Sequence, residues 1–168
     1  MPGLSPADLA VAVLVLIALI TDLSSRRIPN LLSLGFLALG LAANGLAGDV
    51  AVGFIGVGVA FAMMFPGWLM GRAIRAGDAK LLMAVGAFYG GGDALRACLF
   101  SYILHLPYGL AVLLVKGRLG NLVATVRAGV GRAMGRELPE PELTEVPFMP
   151  VIAVAVLLTR ATDWLVFW

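Results

Sequence analysis

The sequence predicts an all-α integral membrane protein of six transmembrane helices with both termini outside. Three observations carry that expectation. Of 168 residues, 61% are hydrophobic and 13% charged, well outside the composition of a soluble domain. The apolar residues gather into runs, and a hydrocarbon core about 30 Å thick takes roughly 20 apolar residues per helix, so the chain has room for about five or six spans and for no separate soluble domain. Threading those runs alternately puts the basic residues almost wholly on one side.

The first run, about 7–20, has no Lys or Arg before it and is followed by Arg26 and Arg27. That is the wrong polarity for a secretory signal peptide, so the run reads as a permanent span that starts outside. The second, LLSLGFLALGLAANGLAG, follows Pro29, which closes the preceding segment, and Asn30, which is placed to cap the new helix. A third run, about 50–70, leads into GRAIRAGDAK. The fourth, about 79–89, is short and stops at a GGGD turn formed by 90–93. A fifth covers about 94–115, and a sixth about 146–168, ending in Trp164, Phe167 and Trp168, residues suited to a membrane interface. Of the 12 Lys and Arg residues, only Arg96 and Arg160 fall on the outer side. By the positive-inside rule the other loops face the cytoplasm.

Between the fifth and sixth runs, Leu119, Leu122, Val123, Val126, Val130 and Met134 recur at helical spacing among Arg118, Arg127, Arg132 and Arg136. This pattern predicts an amphipathic helix lying on the cytoplasmic surface. The interspersed glycines each weaken a helix by about 1 kcal/mol, so a partly ordered basic loop is the alternative. The spacings Gly67 to Gly71 and Gly86 to Gly90 suit close helix packing in lipid.

Several chemistries are excluded at once. A single cysteine, Cys98, allows no internal disulfide and no thiolate metal site, and a single histidine, His105, allows no multi-histidine site. Cys98 reads as an apolar filler, and His105, beside Pro107, as a packing or helix-kink residue. The formal charge of +2 reports orientation in the membrane rather than affinity for nucleic acid.

Two acidic residues remain. Asp22 closes the first span and Asp78 opens the fourth, which puts both at the cytoplasmic edge of the bilayer. A carboxylate near hydrocarbon is expensive, so each is expected to face the bundle interior or water and to have a task there. Asp78 has a simpler alternative as a helix cap, with Gly77 allowing the turn. Asp22 has one as a surface ion pair with Arg26 or Arg27, although a carboxylate at a helix C-terminus meets the negative end of the macrodipole.

Two carboxylates that approach closely cannot both ionise, and the pair holds one proton. The ionised member can then act as general base toward water while the protonated member polarises a peptide carbonyl. Such a site hydrolyses an amide with no metal, no cofactor and no covalent intermediate. The competing readings are a small ion- or proton-coupled transporter component, whose acids usually sit near the midplane, and a non-catalytic subunit of a secretion assembly.

Asp22 is followed by SSRRIPN, the second acid lies in RAGDAKLLMAVGAFYG, and the last run is PFMPVIAVAVLL. In these residues the chain resembles the type IV prepilin peptidases, membrane aspartic peptidases of the GxGD type, and specifically their short CpaA/TadV-like members that serve Flp-type pili. One position departs from the pattern: the first glycine of GxGD is Arg75.

The resemblance implies a single membrane-embedded peptidase domain over 1–168 with six transmembrane helices and two catalytic aspartates, Asp22 and Asp78. Gly77, Lys80, Pro29 and Asn30 would be supporting motif positions. It further implies cleavage of the basic leader of prepilins or pseudopilins at the cytoplasmic face of a bacterial or archaeal inner membrane, with pilus or secretion components as further partners. The segment with paired cysteines that accompanies N-methylation in longer relatives has no counterpart here, so peptidase activity without a methyltransferase domain is expected. Glu137, Glu140, Glu142 and Glu145 either attract the basic leader or form a solvated linker. Lys80 either biases the aspartates toward ionisation or binds lipid phosphate.

Overall fold

The computed structural model describes residues 5–25, 27–69, 75–118, 120, 124, 127 and 146–162. Five helices account for most of them: α1 (Pro6–Ser25), α2 (Asn30–Leu46), α3 (Val50–Leu69), α4 (Ala76–Val115) and α5 (Met149–Ala161). No strand occurs among the described residues.

Local chemistry sets the helix starts. In α1, Ser5 and Asp8 close a reciprocal capping box: the Asp8 N–H donates to Ser5 Oγ at 3.2 Å and the Ser5 N–H to Asp8 Oδ2 at 2.9 Å. Pro6 occupies the first helical position, where its missing N–H would have no partner anyway. In α2 the cap is Pro29, in extended backbone (φ −61°, ψ 131°), and no side chain caps the helix. Its carbonyl accepts from the N–H groups of Leu32 and Ser33 at 3.1 and 3.3 Å. The expectation that Asn30 caps α2 is therefore corrected: Asn30 is already helical, and its side chain is engaged elsewhere.

Helix α4 has 40 residues, and a straight helix of that length would run about 60 Å, twice the hydrocarbon core. It is not straight. Gly90 has φ 81° and ψ −176°, a conformation that only glycine adopts at little cost. A Cβ added to Gly86 would stand 3.2 Å from the Ala94 Cβ, whereas eight residues of straight helix span about 12 Å. The chain folds back on itself at Gly90. The freed carbonyls are met by α2, whose Asn44 Nδ2 donates to the Ala87 carbonyl at 2.7 Å and the Phe88 carbonyl at 3.4 Å. The expected GGGD turn thus reduces to one residue, with helix resuming at 91.

Close approaches between residues give the direction of each segment. The start of α2 meets the start of α4 through Asn30 and Lys80, and its end meets the break through Asn44. Gly40 lies against Ala87 and Phe88, and Gly56 of α3 against Gly86 so closely that a Cβ on either would overlap the other's backbone. Farther along, Gly91 approaches Ile55 and the Tyr102 hydroxyl donates to the Met63 carbonyl at 2.7 Å. The last turn of α5 meets the first turn of α1 through Arg160 and Asp8. Counting α4 as two, six helical segments alternate in direction.

The core between them is built from Val11, Leu14 and Ala18 of α1, Leu81, Leu82 and Val85 of α4, and Met149, Ile152 and Val156 of α5, with Ala60 and Met64 of α3. The outward faces are as apolar as the core. Leu9, Leu16, Ile20 and Leu23 on α1 are each more than half exposed, a pattern suited to lipid and costly in water. Helices α1, α3 and α4 are long and apolar enough to cross a membrane; this is a membrane protein.

Residues 1–103 and 147–168 form one compact unit and 104–146 another. In the second, α4 ends at a glycine cap: Gly117 has φ 65°, and the Arg118 N–H donates to the Leu113 carbonyl at 2.9 Å. The expected amphipathic surface helix lies mostly outside the described residues, as do the terminal aromatic cluster and Gly71.

Candidate active site

Asp22 lies one turn before the end of α1 and Asp78 in the first turn of α4, and both are buried, with 8% and 4% of their surface exposed. The charges whose fields reach Asp78 are those of Asp22 and Arg75. The two acids therefore come together across the bundle although 56 residues separate them in the chain. Arg27 is exposed, and among the described residues it makes no ion pair with Asp22.

The backbone before Asp78 explains how the carboxylate is held. The Arg75 carbonyl accepts from the Asp78 and Ala79 N–H groups at 3.1 and 3.3 Å, which makes Arg75 the cap of α4 and Asp78 its third residue. The Asp78 carboxylate also faces the Arg75 backbone N–H, the reciprocal half of a capping box, and a negative charge in the first turn is favoured by the macrodipole. Capping is thus one of its functions, yet capping succeeds on an exposed helix end and does not require burial beside a second carboxylate. Arg75 thus acts on Asp78 twice, through its backbone as the cap and through the charge of its guanidinium.

The supporting motif residues converge on the same place. Lys80 Nζ donates to Asn30 Oδ1 at 3.0 Å, so the lysine reaches α2 rather than Asp78. Gly77 is helical, with no positive φ; the turn expected of it is absent, and a Cβ there would meet the Ile28 side chain at 3.5–3.8 Å, an ordinary contact. Ile28, Pro29 and Asn30 thus abut Gly77 to Lys80. Glu137, Glu140, Glu142 and Glu145 lie outside the described residues.

A second polar cluster went unread in the sequence. At the other end of α1, about 20 Å from Asp22 by helix rise, Arg160 Nε stands 2.8 Å from Asp8 Oδ1 and its Nη2 donates to Asp8 Oδ2 at 3.2 Å. Its Nη1 lies 3.4 Å from Asp93 Oδ2, and the guanidinium sits 5.1 Å above the Tyr89 ring. Asp93 also pairs with Arg96, whose Nη1 donates to the Thr162 carbonyl at 3.3 Å. The signal was present: Arg96 and Arg160, the only two cations assigned to the outer side, share that side with Asp8 and Asp93.

The described residues therefore hold two acidic groupings of opposite kind. At one, every carboxylate has a guanidinium partner; at the other, two buried carboxylates lie within reach of each other's field, with the Arg75 charge also acting on Asp78, an arrangement suited to acid–base chemistry. The model of the type IV leader peptidase family matches residues 9–123, a stretch that contains both Asp22 and Asp78. No curated protein and no solved structure matches the chain. With a family model covering more than half its length, on the segments that bring these aspartates together, the chain belongs to the type IV leader peptidase family.

Proposed function

We propose that this leader peptidase is an aspartic endopeptidase that removes the basic leader from prepilins or pseudopilins, of the Flp type, at the cytoplasmic face of a bacterial or archaeal inner membrane. The observation that carries the reading is the burial of Asp22 and Asp78 within each other's field. The pair shares one proton: the ionised carboxylate takes a proton from water, the protonated one polarises the scissile carbonyl, and the proton then passes to the leaving amine. The six alternating segments are read as six spans, with the ends carrying Asp22 and Asp78 inside and those carrying Asp8 and Arg160 outside, as the distribution of basic residues requires. Glu137, Glu140, Glu142 and Glu145 supply negative charge on the same side as the aspartates, to which a basic leader is attracted.

The test is cleavage of a Flp-type prepilin by membranes containing the wild type, Asp22→Asn or Asp78→Asn at equal abundance. Cleavage by the wild type and loss of at least about 1000-fold in each variant is expected, since neither amide can transfer the proton. Variants that cleave like the wild type would make both residues structural.

A further inference from the structure

The contact between Lys80 and Asn30 has no role in the proton transfer itself. Successive residues of an α-helix are turned by about 100°, so Lys80 points about 200° away from Asp78 around the axis of α4. One faces Asp22 and the other faces α2. Lys80 Nζ reaches Asn30 Oδ1 at 3.0 Å across 50 residues of sequence, and on the same seam the Gly77 backbone packs on Ile28. Asn30 in turn begins the helix that follows the short connection from α1, the helix bearing Asp22.

We propose that the Lys80–Asn30 hydrogen bond is a latch that fixes the rotation of the first turns of α4 and thereby turns Asp78 toward Asp22, which makes Lys80 and Asn30 positioning residues. The inference rests on the peptidase reading for its consequence in catalysis, and on geometry alone for the latch. The other contact the first turn of α4 makes at this seam is Gly77 against the Ile28 side chain, and the tight packing of α2 on α4 at Gly40 and Asn44 lies farther along, at Ala87 and Phe88, so without the bond the first turn can shift. A small roll separates the carboxylates, and a misplacement of about 1 Å costs up to about 100-fold in rate.

Two readouts test it. With Cys98→Ala as background, the pair Ile28→Cys and Gly77→Cys is oxidised in membranes; a Cβ on Gly77 lies 3.5 Å from the Ile28 Cβ, within the range of about 3.5–4.5 Å that a disulfide needs. The cross-link is expected to form, and its yield to fall several-fold when Lys80→Met is added. In the otherwise native chain, Lys80→Met and Asn30→Leu are expected to lower kcat by about 10- to 100-fold with KM unchanged, and Asn30→Asp, which keeps an acceptor oxygen, to cleave at close to the native rate. The double variant should be no worse than the worse single one. An unchanged cross-link yield, an unchanged kcat, or a change confined to KM overturns the proposal. A wild type that cleaves no leader overturns the peptidase reading instead, and the cross-link yield then decides the latch by itself.

Discussion

Asp78 performs two tasks with one carboxylate, completing the cap of α4 and facing Asp22, and a substitution can separate them. Asp78→Asn keeps an acceptor for the Arg75 N–H and loses the shared proton, so it is expected to remain folded and be inactive; thermal unfolding within a few degrees of the wild type, alongside absent cleavage, is the check. The glycines differ just as sharply from one another. A Cβ on Gly77 finds ordinary contact with Ile28, whereas one on Gly56 would overlap the Gly86 carbonyl. Gly77→Ala should therefore accumulate normally, while Gly56→Ala should lose at least about 3 kcal/mol, the upper range for overpacking a well-packed site, and fall sharply in abundance in detergent. Both aspartates were legible in the sequence because carboxylates at the ends of apolar runs need a reason. Gly56 was not, because a tight backbone approach leaves no mark in a chain where glycine is common at every kind of position.

Helix boundaries followed the composition apart from the region around Gly90, the end of α1, which runs on to Ser25, and α5, which ends at Ala161 with Thr162 in extended backbone although the apolar run continues. Apolar periodicity ends an element where polarity rises, so GGGD read as a turn; it could not show that one residue breaks the helix while Asn44, 43 positions earlier, takes up the carbonyl of Ala87. Asn44→Leu leaves that buried carbonyl without its partner and should cost about 1–3 kcal/mol, measurable as a lowered unfolding midpoint. The clasp of Asp8, Arg160, Asp93 and Arg96 was hidden for a related reason: residues at the ends of α1, α4 and α5 become neighbours only when all three helices are packed. Arg160→Met strands the Asp8 carboxylate, which is 9% exposed, but Arg160 itself is 39% exposed and solvent softens the loss. A destabilisation of about 2–3 kcal/mol is expected, with Asp8→Asn combined with Arg160→Met less damaging than Arg160→Met alone.

The unit formed by residues 1–103 and 147–168 packs apolar segments whose two ends are unlike. Its outward helix faces are apolar, which is why composition alone disclosed a membrane protein. The two ends differ in how their carboxylates are paired. Asp8 and Asp93 are paired with arginines, while Asp22 and Asp78 lie buried within reach of each other's field, beside the hydrogen bond by which Lys80 of α4 reaches Asn30 of α2. In the proposed mechanism these two carboxylates act as one unit. The measurement that tests it most directly is kcat/KM on a prepilin for Asp22→Asn, Asp78→Asn and the double variant at matched abundance. Residues acting as a unit are strongly non-additive, so each single variant should fall to the same floor and the double variant no further. Losses that add, or one single variant that retains cleavage, would contradict it.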